Sequence, residues 1–75
     1  MKKNPVLIAL GKNARELRER GKWTQERLAE RSGLDPSYIS GIERAVRNPS
    51  VASLARLAKG LGCTVSEICR GIAKP

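Results

Sequence analysis

The stretch Thr24 to Glu43 reads Thr-Gln-Glu-Arg-Leu-Ala-Glu-Arg-Ser-Gly-Leu-Asp-Pro-Ser-Tyr-Ile-Ser-Gly-Ile-Glu and constrains the fold more than any other part of the chain. It carries two helix starts and one glycine-centred break in a span too short for anything but two helices meeting at a tight turn. Thr24 is a capping residue, with Trp23 before it and Leu28 four positions into the helix forming a hydrophobic staple. Asp35 repeats the device with Leu34 and Ile39, and Pro36 suits a first helical position, where its missing N–H costs nothing. Gly33 sits where the earlier helix has to end. Two helices joined in this way form a helix-turn-helix. The second has one apolar side and one side of small polar residues, in a chain of formal net charge +8. That combination points to a charged groove rather than a small substrate.

Helix signals recur in the rest of the chain, with no strand-type alternation, so the expected fold is all-α. Val6, Leu7, Leu10, Ala14 and Leu17 fall on one stripe at helical spacing, which predicts a first helix from about Val6 to Arg20 with Gly21 as its stop. Ser50 caps a fourth helix whose stripe is Val51, Leu54, Leu57, Ala58 and Leu61, ended by Gly62. Thr64 and Glu67 form a capping box for a fifth, stapled by Cys63 and Ile68. The expectation is one domain spanning 1–75, with five short helices around a small core at about 6–72 and short flexible termini.

Composition excludes several classes of function. Fifteen Lys and Arg against seven Asp and Glu imply attraction to polyanions, although the same balance fits membrane-surface or ribosome-bound proteins. Cys63 and Cys69 lack zinc-ligand spacing, and without a histidine neither has a base to activate it, so no metal, cofactor or catalytic nucleophile is expected. Two small buried hydrophobes in a reducing cytoplasm is the simpler reading. The apolar run Val6 to Leu10 is too short for a signal peptide. Gly60-Leu61-Gly62 follows no strand, and helix termination accounts for it better than a nucleotide loop.

On a wheel of 100° per residue, Ile39 and Ile42 share one side of the third helix while Ser37, Ser40, Gly41 and Arg44 share the other. A mid-helix glycine costs roughly 1 kcal/mol relative to alanine, so something is expected to come close to Gly41, either a ligand or a neighbouring helix. Glu43 turns inward and needs a cation; Arg18, bordering the apolar stripe of the first helix, is the candidate for a partly buried ion pair. Gln25 opens the second helix beside the third, where its amide and the free N–H groups suit a phosphate. Arg44, Arg47 and Asn48 lie in or next to a loop placed to meet backbone phosphates. Tyr38 either flanks this face against the sugar-phosphate backbone or packs on the fourth helix. The apolar stripe Val65, Ile68, Cys69 and Ile72 exceeds what so small a core obviously needs, which suggests a dimer interface on the fifth helix with Ala73 at its edge.

Arg15-Glu-Leu-Arg18, the run Thr24 to Leu34, Tyr38-Ile-Ser-Gly-Ile-Glu-Arg44 and Arg47-Asn-Pro-Ser50 together resemble the Cro/CI (XRE) family of helix-turn-helix DNA-binding domains. The resemblance covers roughly Leu10 to Ile68. It implies a compact five-helix, lambda-repressor-like domain, usually dimeric, acting as a transcriptional regulator. Positions matching Gln25 hold a phosphate there, those matching Pro36, Ser37 and Gly41 face bases, and those matching Arg18 and Glu43 pair internally. Tyr-Ile-Ser-Gly-Ile-Glu-Arg followed by Arg-Asn-Pro-Ser is most similar to restriction-modification controller proteins. Two departures stand out. Ala45 occupies a position usually held by glycine, which predicts a strained left-handed alanine, and Val46 replaces a common basic residue. The expected function is a non-enzymatic, cytoplasmic regulator binding a double-stranded DNA operator as a homodimer, with no membrane or small-molecule partner. The rival is a protein-interaction module, such as an antitoxin, using the C-terminal stripe as its docking surface.

Overall fold

A computed structural model describes residues 4–72. Five helices follow in order: α1 (Pro5–Arg20), α2 (Gln25–Ser32), α3 (Pro36–Glu43), α4 (Val51–Leu61) and α5 (Val65–Ile68), with no strand among the described residues. Every helix starts on a side-chain cap. Thr24 accepts from the Arg27 N–H, Asp35 from Ser37, Ser50 from Ser53, and Thr64 and Glu67 close a reciprocal capping box. Each such cap is worth about 1 kcal/mol, so boundaries this well marked are set locally, before packing decides anything. At α1 the cap is Asn4, with Pro5 in the first turn, so the helix begins one residue before the apolar stripe does.

The ends are less uniform. Gly33 and Gly62 take left-handed conformations at φ 73° and 74° and close α2 and α4 as the sequence suggests. Gly21 stays right-handed, and the left-handed residue after α1 is Lys22 at φ 61°. Gly21 is small for another reason: a Cβ there would stand 2.8 Å from the Trp23 ring.

Leu28, Ile39, Ile42, Leu57 and Ile68 are the largest fully buried side chains, joined by Leu10, Ala14, Ala29, Ala58 and Leu61. α2 packs on α4 and α1 on α3, and both crossings use a glycine. A Cβ on Gly11 would come 2.5 Å from the Ile42 carbonyl oxygen, so the α1 backbone rests directly on the end of α3. Gly60 likewise approaches Ser32 of α2, which makes it a packing residue inside α4, and Gly62 alone ends that helix. α3 packs on α1 and α2, with Pro36 and Ser37 at its start exposed.

Candidate nucleic-acid interface

Arg18 and Glu43 pair as the inward turn of the glutamate requires. The guanidinium donates from Nε to Glu43 Oε2 at 2.6 Å and from Nη2 to Oε1 at 3.0 Å, a two-pronged contact that matches the planar carboxylate. Its third nitrogen donates to the Trp23 carbonyl at 2.8 Å. The hydrogen bond to Glu43 raises the Arg18 pKa further above its ordinary value, against the opposing effect of burial. This one network joins α1, the α1–α2 loop and the end of α3. It also takes in Gln25, whose Nε2 donates to Glu43 Oε1 at 3.1 Å. The Gln25 amide is therefore half committed to the interior and does not stand free at the surface. What it leaves for an anion is its second amide hydrogen and the unpaired N–H groups of the first turn of α2.

Along the outer side of α3, Pro36 and Ser37 are exposed and Ser40 is half-buried. Ser37 donates its hydroxyl to Asp35 Oδ1 at 2.6 Å, and its backbone N–H goes to the same oxygen at 2.8 Å. These two bonds, the hydroxyl's first, hold the Asp35 carboxyl below the usual carboxylate range. Ser40 Oγ accepts from Arg44 Nε at 3.2 Å, which lays the arginine along the helix.

Gly41 requires a correction. It is buried rather than exposed on the outer face of α3. The chain after α3 folds back, and the Gly41 carbonyl accepts from the N–H groups of Val46 at 2.9 Å and Arg47 at 3.2 Å. A Cβ on Gly41 would overlap Cγ of Arg47, so the glycine makes room for the arginine stem. The guanidinium then lies 5.9 Å from the centre of the Tyr38 ring. The exposed functional group on this part of the face belongs to Arg47, not to the position beneath it. Tyr38 is half-buried, packed against the core, with the Arg47 guanidinium over its ring. Asn48 is exposed beside them. Ala45 adopts the left-handed conformation expected of it, at φ 63°.

The C-terminal stripe requires a second correction. Ile68 is wholly buried within the chain, and Val65, Cys69 and Ile72 are half-buried against the same core. α5 is pinned to α1 by Asn13, whose Nδ2 donates to the carbonyls of Ile68 at 2.7 Å and Arg70 at 3.0 Å. A helix of four residues supplies few inward positions, and this core consumes them. Ile68 is therefore a core residue, whereas Val65, Cys69 and Ile72 each keep part of their surface exposed. Ala73 lies outside the described residues. Cys63 and Cys69 are free thiols, and burial, with the Glu67 charge, pushes Cys63 up. Among the described residues no cluster of metal-ligating side chains occurs, and no helix is long and apolar enough to cross a membrane.

A helix-turn-helix with an outermost third helix, flanked by a helix N-terminus and an arginine-bearing loop, is the architecture of a DNA-binding regulator. Comparison with known proteins agrees. The helix-turn-helix family matches residues 15–75. The chain is 38% identical over 72 residues to the control protein C.MunI of Mycoplasma sp, spanning 95% of this chain and 97% of that one. It is 39% identical over 61 residues to the immunity repressor of Bacillus phage phi105, covering 81% of this chain and 42% of the repressor. The crystal structure of the restriction-modification controller protein C.AhdI from Aeromonas hydrophila superposes with a TM-score of 0.81 at 42% identity, over 83% of this chain and 94% of that one. C.Esp1396I bound to a 19 base pair DNA duplex superposes with a TM-score of 0.80 at 37% identity, over 87% of each chain. The chain therefore belongs to the helix-turn-helix family of sequence-specific DNA-binding transcriptional regulators.

Proposed function

We propose that the chain is a controller-type regulator that binds its operator as a homodimer, with the leading end of α3 in the major groove, and performs no catalysis. The observation that carries this reading is the exposed edge formed by Pro36, Ser37, Arg44, Arg47 and Asn48, held rigidly by the Arg18–Glu43 network on a chain of net charge +8. In it, Pro36, Ser37 and Ser40 face base edges. Arg44, Arg47, Asn48, the Tyr38 hydroxyl and the start of α2 at Gln25 meet the flanking phosphates. Such a protein acts where the DNA is, in the cytoplasm of a bacterial host. A two-fold dimer presents its two α3 helices to half-sites about one helical turn, roughly 34 Å, apart.

Selection of duplexes from a random pool by the pure protein tests this directly. The expected product is one near-palindromic site. Its affinity should fall with rising salt at a log–log slope of about −0.9 per phosphate contact. Binding that stays flat with salt, or a selected site without two-fold symmetry, refutes the electrostatic footprint or the dimer respectively.

A further inference from the structure

The outward groups at the two ends of α3 differ in sign. At its leading end, Asp35 Oδ1 takes both the Ser37 hydroxyl proton, at 2.6 Å, and the Ser37 N–H, at 2.8 Å. The single hydroxyl hydrogen of Ser37 is thus spent. What Ser37 turns outward is lone pairs, and what Asp35 turns outward is its second carboxylate oxygen. Pro36, between them, has no N–H and no polar side chain. All three residues are exposed. At the far end the outward groups are the cationic donors of Arg44 and Arg47, the former laid against Ser40 Oγ and the latter over Tyr38.

The edges of base pairs in the major groove are asymmetric in the same respect. The N7 and O6 of guanine, the N7 of adenine and the O4 of thymine all accept. The hydrogen-bond donors are the exocyclic amines, N4 of cytosine and N6 of adenine. A carboxylate brought among phosphates with nothing to accept from loses its hydration without compensation. From this we infer that the Asp35–Ser37 pair is a specificity element that selects a base carrying an exocyclic amine, cytosine or adenine, at the one or two positions facing the start of α3, and rejects guanine and thymine there. The inference rests on the proposed placement of α3 in the major groove and adds to it the polarity of what is read.

The experiment begins from the duplex selected by the wild-type protein. Each cytosine and adenine of one half-site is replaced in turn by its amine-free analogue, 2-pyrimidinone or purine, and affinity is measured at fixed salt. The same series is run with Ser37→Ala, which keeps the backbone cap on Asp35, and with Ser37→Thr, which keeps the hydroxyl. At one or two positions amine deletion should weaken wild-type and Ser37→Thr binding by roughly five- to a hundredfold. Ser37→Ala should lose much of that sensitivity at those positions only. Equal sensitivity of Ser37→Ala and wild type at every position overturns the proposal, as does a Ser37→Ala protein that relaxes selection at a guanine or thymine. Failure to enrich any duplex is a different result: it refutes the DNA-reading role of α3 itself, and the specificity element falls with it.

Discussion

Glu43→Ala is the substitution that tests the architecture most severely. The Glu43 side chain is 5% exposed and accepts three hydrogen bonds, two from Arg18 and one from Gln25. Removing it leaves the Arg18 guanidinium, itself only 14% exposed, with the Trp23 carbonyl as its remaining partner. Breaking one half of a buried pair costs about 3–5 kcal/mol, mostly the penalty of the stranded charge. The remaining exposure of Arg18 and its bond to Trp23 place this case near the lower end, about 3 kcal/mol. A domain of 75 residues is stable by roughly 4–11 kcal/mol, so the variant should still fold in the cold. Its melting temperature should drop by about 12–24 °C on the usual scale for domains of this size. Glu26→Ala, an exposed position in the first turn of α2, is the control and should stay within about 0.5 kcal/mol of wild type. Arg18→Met combined with Glu43→Leu should recover most of the loss, because an apolar pair of similar volume avoids desolvating charge altogether. Thermal and urea melts of the four proteins decide the matter. If Glu43→Ala melts with Glu26→Ala, or the double variant is no more stable than Glu43→Ala, the network does not hold α3 as described.

Gly41→Ala should weaken operator binding severalfold or more and leave the melting temperature level or lowered, since a collision with the Arg47 stem costs about 1–3 kcal/mol against a gain of roughly 1 kcal/mol in helix propensity; unchanged binding would show that Arg47 has no role on this face. Ile68→Ala should cost about 2–5 kcal/mol of stability as a core cavity without altering the association state of the protein that remains folded, and a shift from dimer to folded monomer in sedimentation would return Ile68 to the interface. The Asp35 cap has a definite pH signature. Because the folded carboxyl lies below its ordinary value, its contribution is fully present above the unfolded value of about 3.9 and is lost as pH falls through the lowered folded value. Wild type should therefore lose stability in that acid window relative to Asp35→Asn, whose amide oxygen caps α3 without titrating. Parallel pH dependences for the two proteins would refute it.

What the sequence makes legible here is local chemistry. Thr24, Asp35, Ser50 and Thr64 each cap a helix through a hydrogen bond to a residue two or three positions on, so the chain announces those starts without reference to its tertiary structure. The Arg18–Glu43 pair is also readable, because an inward acid on a short helix has few solutions and the apolar stripe of α1 offers one cation. The left-handed Ala45 is legible only through the family resemblance, which places a glycine at that position. The misjudged residues are those whose role is set by what another segment does. Gly41 looks like an opening on a helical wheel, yet the loop that fills it arrives from six residues further on and cannot be placed by any wheel. Gln25 looks free for the same reason, since the carboxylate that claims its amide comes from the end of α3. Ile68 looks surplus to so small a five-helix core, yet α5 closes that core and is held to α1 by Asn13. At Gly41 the residue moves to the interior and the surface passes to Arg47. The proposed reading edge then presents acceptors at Asp35 and Ser37 and cations at Arg44 and Arg47. On that proposal the choice among operators is governed by which duplexes match that order of charges.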